Sequence, residues 1–271
     1  MVKKHALCLF GFLRTFPKTY NTILRNIVIP HNMDVFVFAP NVFFPDPNLD
    51  MWYAKKNIEI VQESYLRNIF GNNLKSCHLY DYNPEPFKQK VIDNNIPEKN
   101  FLGQMAWRAY SMYYHIQQVL QLRQKYEQEN NIVYDTVTVT RGDICFFNPM
   151  NVDVIESDAL TLPYCKGMLP NGKHRLTAAC VYNHPGEEFS DHIMASSPRI
   201  VDYMCGVFDN AANYYHSGII FNNETYIAHH YIENKIKYIQ KEIIMYDIVV
   251  DQHYDTKLVF EGDVCKGSVL K

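Results

Sequence analysis

Residues 134–143 read Tyr134-Asp135-Thr136-Val137-Thr138-Val139-Thr140-Arg141-Gly142-Asp143. The stretch to Thr140 is β-branched and alternating, the strongest strand signal in the chain, and it ends in a charged turn. Just upstream, apolar residues recur at Leu102, Met105, Ala109, Met112, Ile116 and Val119. That spacing of three and four predicts one helix from about Leu102 to Glu129 with a continuous apolar face. Its far end is polar (Arg123, Lys125, Glu127, Glu129), which predicts that it leaves the core there. A long helix feeding a strand is half of a parallel crossover, so a layered α/β sheet is expected.

The N-terminal third supplies the other strands. Residues 5–13 form a nearly continuous apolar run that reads as a buried strand, and Met33 to Ala39 reads as a second, stopped by Pro40. Thr19 to Val28 is expected to be helical, as is a segment near 63–70 between short strands at Ile58–Val61 and Cys77–Tyr82. The proline-rich stretches 41–50 and Asn83-Pro84-Glu85-Pro86 read as loops. In the second half, Ala159–Pro163 and Asp191–Ser196 read as strands and 164–188 as a loop. Ser197-Pro198 and Asn222-Asn223-Glu224 open helices, the first burying Ile200, Tyr203, Met204 and Val207. No linker divides the chain, so residues 1–271 are expected to form a single domain.

Composition narrows the function. With 26 Lys and Arg against 29 Asp and Glu, nothing draws the chain to nucleic acid. The seven cysteines are odd in number and none has CxxC spacing, which points to reduced thiols rather than disulfides or zinc. Lys3-Lys4 and the apolar run after them imitate a signal peptide, but Arg14 ends the run after eight residues, without a small-residue cleavage site. No stretch reaches the length of a transmembrane segment, and a cytoplasmic protein is expected.

Three constellations carry candidate chemistry. Gly11, Arg14 and Thr15 follow the first strand, where open α/β sheets bind ligands; arginine can grip a diphosphate through two parallel hydrogen bonds, and glycine lets backbone approach it. Arg141 and Asp143 follow the strand at 136–140, where Asp143 is the candidate ligand of Mg²⁺ or Mn²⁺. A paired DxD acid is absent because position 141 is Arg, so that cation could partly replace a metal. Asp191, beside His192, is the candidate general base for a hydroxyl. Each has a purely structural alternative: an Arg capping the following helix or pairing with a surface carboxylate, an Asp closing a turn, a His at a strand edge. His229-His230 point about 100° apart on a helix and cannot easily share a metal, and Gln104, Trp107 and Arg108 open the long helix, with Trp107 read as core.

These pieces together resemble the small GT-A-like glycosyltransferases of bacterial surface-polysaccharide clusters and large algal viruses. The resemblance is carried by Phe10-Gly11-Phe12-Leu13-Arg14-Thr15-Phe16, by Asp34-Val35-Phe36-Val37-Phe38, by the long helix with the strand ending at Asp143, and by Asp191-His192-Ile193-Met194-Ala195-Ser196. The helix at Glu224 falls where such proteins place a late helix near the site. The resemblance implies a GT-A-like (Rossmann-like), mostly parallel sheet flanked by helices. It implies a nucleotide-sugar donor, UDP-sugar favoured over GDP- or dTDP-sugar, and a glycan hydroxyl as acceptor. It places Arg14 and Thr15 near the diphosphate, Asp143 at a divalent cation, and Asp191 on the acceptor side. A nucleotidyltransferase and a non-catalytic sugar- or nucleotide-binding module are the alternatives. Residues 236–271 lie outside the resemblance.

Overall fold

The structure, a computed structural model, describes residues 3–43, 60–99, 103, 105–163, 166–168, 174–176, 189, 191–244 and 246–248. The strands are β1 (His5–Phe10), β2 (Asp34–Pro40), β3 (Leu74–Tyr80), β4 (Thr136–Arg141), β5 (Ile144–Phe146), β6 (Leu160–Pro163), β7 (Lys166–Met168), β8 (His174–Leu176), β9 (Ile193–Ser196), β10 (Tyr238–Lys241) and β11 (Tyr246–Ile248). The helices are α1 (Phe16–Ile23), α2 (Ile29–His31), α3 (Glu63–Phe70), α4 (Glu85–Asp93), α5 (Ala106–Asn130), α6 (Pro198–Val201), α7 (Val207–His216) and α8 (Asn223–Glu233).

Seven strands form one sheet in the order β10-β6-β9-β4-β1-β2-β3. All neighbours are parallel except β9, which runs against both β4 and β6. The fold is therefore α/β with a mostly parallel sheet flanked by helices, as the sequence predicts. From β1 the chain builds outward through β2 and β3, then returns through α5 to lay β4 on the other side of β1. The crevice between the carboxyl ends of β1 and β4 is thus the switch point of the sheet, where open α/β folds take their ligands.

Alternation along β1 divides the core. Ala6, Cys8 and Phe10 face α5, α7 and α8, whereas Leu7 and Leu9 face the layer that contains α1 and α3. The helix after β1 departs from the expected Thr19–Val28: α1 starts at Phe16 and gives way to a π-helical segment over Leu24–Val28. Pro30 explains the change, because it lacks the N–H that would bond the Asn26 carbonyl; that carbonyl accepts from the Met150 N–H instead, at 2.8 Å.

Four expectations need correction. The far end of α5 leaves the core at Lys125 and Glu129, which are exposed, but not at Arg123, which is fully buried between Glu127 and Asp202, the acids that bond its two terminal nitrogens. Part of a polar terminus seen in sequence thus marks an internal ion-pair network. The Asn83–Pro86 stretch does not remain a loop: Pro84 caps α4 and Pro86 sits in its first turn, where a missing N–H costs nothing. Tyr203 is 41% exposed, although Ile200, Met204 and Val207 are buried as expected, because a 3₁₀ turn over Asp202–Gly206 breaks the helical phase. The 164–188 stretch contains the antiparallel pair β7 and β8 among its described residues.

Elsewhere the signals map onto elements with small shifts of boundary. Of the predicted strand at 58–61, Ile60 forms an isolated bridge with Val42, and its start lies outside the described residues. Most of the 41–50 loop, Leu102 and Gln104 also lie outside them. Among the described residues no helix is long and apolar enough to cross a membrane.

Candidate functional site

Two turns meet at the switch point. Leaving β1, Gly11 takes a φ of +80°, open to glycine at no steric cost, while its N–H donates to the Phe38 carbonyl at 3.2 Å. Arg14 also has a positive φ, +30°, and its N–H is fixed on the Phe43 carbonyl at 3.1 Å. A non-glycine residue in that region stores strain, which the surrounding structure must hold in place. The second turn, after β4, packs directly on the first. A Cβ at Gly142 would lie 2.9 Å from Leu13 Cδ2, and the Gly142 carbonyl accepts a hydrogen bond from the Thr19 hydroxyl. Glycine at 142 is what lets the two turns close together.

That closure brings three charges into one cluster. Asp143 is fully buried. Arg141 holds it in bidentate fashion, Nε to Oδ1 at 2.9 Å and Nη2 to Oδ2 at 2.6 Å, and Arg14 Nη1 reaches Oδ2 at 3.3 Å. The Arg14 and Arg141 side chains are 26% and 21% exposed against 1% for Asp143. The carboxylate therefore lies beneath the two cations and orients them. Two planar guanidinium groups aimed at one carboxylate are also the kind of group that can grip a phosphate-bearing ligand.

The same arrangement bears on the divalent cation expected at Asp143. Both carboxylate oxygens are already engaged by guanidinium groups, and a metal ion there would sit against two positive charges. Among the described residues no three His, Cys, Asp or Glu side chains come together. With both of its oxygens so engaged, Asp143 does not fit a resident Mg²⁺ or Mn²⁺.

The other predicted residues fall on the same edge with different exposures. Thr15 is buried at the N-cap position of α1, and its hydroxyl makes no cap bond. Because β9 runs antiparallel to β4, with Ile193 opposite Thr140, the residues that precede β9 arrive beside the end of β4. The Thr140 hydroxyl fixes them by donating to the His192 carbonyl at 2.8 Å. Asp191 is only 3% exposed, and its Oδ1 lies 3.5 Å from His192 Nε2.

Glu224 is the residue that sequence reading left without a role. It stands in the first turn of α8, half-buried, where Asn222 caps the helix by accepting from the Asn223 N–H at 2.9 Å. Burial and then the nearby Asp191 charge push its carboxyl up to about 8, against the pull of its own backbone N–H, the Asn222 side chain and Arg141. The capping pattern Asn222-Asn223-Glu224 located the helix; only the sheet topology set Glu224 against Asp191.

An aromatic wall closes the β1–β3 side. Phe12 packs edge-on against Tyr82, with ring centroids 4.6 Å apart, and His115 of α5 lies behind them. The Tyr82 hydroxyl donates to Ser111 Oγ at 3.3 Å. His115 Nε2 shares a 2.8 Å hydrogen bond with the Tyr80 hydroxyl, and its burial lowers its pKa to about 4. Arg14 adds to that lowering, which places its charge near the wall. Sequence patterning did not single out Phe12, Tyr82 or His115, because isolated aromatics carry no period.

Several groups fall outside the site. His230 is buried on the Tyr214 hydroxyl, and the His229 ring packs edge-on against the same Tyr214, with centroids 4.9 Å apart. Trp107 is core. Burial pushes the thiols of Cys8, Cys77 and Cys205 up to about 12, so none is a nucleophile at neutral pH. Cys165, Cys180 and Cys265 lie outside the described residues. No protein-family model matches the chain, and no curated protein sequence does either.

Proposed function

We propose that this chain is a GT-A-like glycosyltransferase that moves a sugar from a nucleotide diphosphate, UDP favoured, to a hydroxyl of a glycan. One observation carries the reading: two guanidinium groups stand on a buried carboxylate at the switch point of a mostly parallel sheet. Arg14 and Arg141 would take the diphosphate, and their fixed positive charge would stabilise the negative charge that builds on the leaving group. Asp143 orients both cations instead of ligating a metal. Phe12 and Tyr82 offer an apolar flank on the β1–β3 side for the nucleoside, and Asp191 with Glu224 forms the acidic flank on the β9 side for the acceptor hydroxyl.

The order of these groups along the sheet edge supports transfer over simple binding, because cationic and carboxylate groups adjoin at Arg141. Calorimetric titration with UDP, followed by turnover across a panel of nucleotide sugars and glycan acceptors, tests the reading. Micromolar UDP binding together with release of UDP from one donor is expected. Release of pyrophosphate instead would identify a nucleotidyltransferase, binding without turnover on any acceptor a binding module, and no nucleotide binding would overturn the proposal.

A further inference from the structure

We infer that Ser111 and His115 of α5 are positioning residues that hold the Phe12–Tyr82 wall in the geometry on which the nucleobase stacks; the inference rests on the transferase reading above. Ser111 is 4% exposed and His115 1%, whereas Phe12 and Tyr82 are half-buried. The inner pair is closed to a ligand, and the outer pair keeps surface that a ligand can reach. The wall shares a turn with the cationic cluster. Phe12 lies between Gly11, whose N–H is fixed on the Phe38 carbonyl, and Arg14, whose N–H is fixed on the Phe43 carbonyl. Its ring meets Tyr82 at 4.6 Å between centroids, so the aromatic pair begins two residues from a guanidinium of the diphosphate grip.

The hydrogen bonds behind the wall have a forced direction. His115 Nδ1 bonds the backbone carbonyl of Ser111, one helical turn earlier. A carbonyl can only accept, so Nδ1 carries the proton, and in the neutral ring Nε2 is left as an acceptor. The Tyr80 hydroxyl, 2.8 Å from Nε2, must then donate to it. The Tyr82 hydroxyl donates to Ser111 Oγ at 3.3 Å. Both phenols are thus tied at their far ends to one face of α5, where residues four apart lie one above the other. His115 also backs the outer rings. Its plane lies 20° from that of Tyr82 with centroids 6.5 Å apart, and its centroid is 6.1 Å from that of Phe12.

A side chain that is ordered only when its ligand arrives costs affinity, and one already held in place does not. Tying the Tyr82 hydroxyl to Ser111 and backing its ring with His115 removes that cost before the base binds. The anchors are themselves firm, because α5 is a 25-residue helix packed along β1, β2 and β3. Their effect falls on the nucleoside half of the donor and spares the diphosphate half. That selectivity separates a positioning role from a general contribution to folding.

Calorimetry with UDP and with inorganic pyrophosphate tests this, because pyrophosphate presents the diphosphate without the nucleoside. Ser111→Ala and Tyr82→Phe cut the same hydrogen bond from its two ends; the first keeps the carbonyl that holds His115, the second keeps the ring. Each is expected to weaken UDP binding roughly 3–10-fold and to leave pyrophosphate affinity within about twofold of wild type. The double variant should bind UDP no more weakly than either single one, since both remove one interaction. His115→Leu should act in the same way, and His115→Gln, whose amide oxygen can accept from Tyr80, should recover most of the loss. Equal losses for UDP and pyrophosphate would show a merely structural role and overturn the inference. So would additive effects in the double variant, or wild-type UDP affinity in both Ser111→Ala and Tyr82→Phe, which carry the test even where His115→Leu does not fold. Failure of the underlying reading looks different. Tyr82→Ala, expected to cost roughly 10–100-fold in UDP affinity, then changes nothing, or the wild-type protein binds no nucleotide, and the inference falls with it.

Discussion

Arg14 reaches Asp143 across 129 residues of sequence, its Nη1 lying 3.3 Å from an Oδ2 that Arg141 already holds. Two residues from different turns thus share one buried oxygen. The sharing requires both the left-handed turn at Gly11 and the close approach at Gly142. The cluster's geometry and charge determine what ligand it can take.

Arg14→Lys keeps the charge but removes the planar fork, so it separates electrostatics from geometry. UDP binding is expected to weaken by about 1–3 kcal/mol, with little change in melting temperature. Calorimetry on the two proteins at one ionic strength checks this; equal affinities would remove Arg14 from the site.

Under the proposed function the guanidinium pair takes the role expected of a metal, and chelation should then matter little. UDP affinity and turnover are expected to stay within about twofold after EDTA treatment, while Asp143→Asn should weaken binding by about 1–3 kcal/mol through the loss of the charge that orients both cations. Activity that depends on added Mn²⁺ after EDTA would restore the metal role of Asp143.

Arg123 is fully buried against Glu127 and Asp202, and it ties α5 to the turn after α6. Arg123→Met leaves two acids without their cation, which typically lowers stability by about 3–5 kcal/mol. Replacing all three residues with apolar side chains should recover most of that loss. Urea unfolding of the single and triple variants distinguishes this network from a surface pair, whose removal would change little.

Two groups make stability depend on pH in opposite windows. His115 has its native pKa lowered to about 4 by burial, from an ordinary 6.5. Below pH 6.5 the unfolded chain therefore binds a proton that the native one refuses, and stability falls between 6.5 and about 4. Glu224 is raised to about 8 from an ordinary 4.5. Between these values the native chain holds a proton that the unfolded one has released, so stability falls as pH rises through that window. Glu224→Gln should accordingly stabilise the protein at pH 8 by about 0.5–2 kcal/mol, and have little effect near pH 5. Thermal melts across pH 4–9 test both signs; a Glu224→Gln variant less stable at pH 8 would contradict the second.

The sequence by itself determined the strands at the centre of the sheet, the helix that leads into β4, and the charged turn that follows it. Period-two and period-3.6 patterns are local, and β1, β2, β4 and α5 express them over enough residues to be read. It also brought Arg14, Arg141, Asp143 and Asp191 to notice, because a polar residue after a buried strand stands out against the apolar run before it. Tertiary structure alone decided what those residues do to one another. Local patterning cannot tell whether a polar helix end meets solvent or buried partners, so Arg123 was misplaced. Nor can it tell whether Asp143 faces a metal or two guanidiniums, because that depends on the glycine contact between turns 129 residues apart. Glu224 came to light only in three dimensions. Its basicity arises from burial beside Asp191, and that neighbour is supplied by the antiparallel β9, a through-space relation that sequence spacing does not encode.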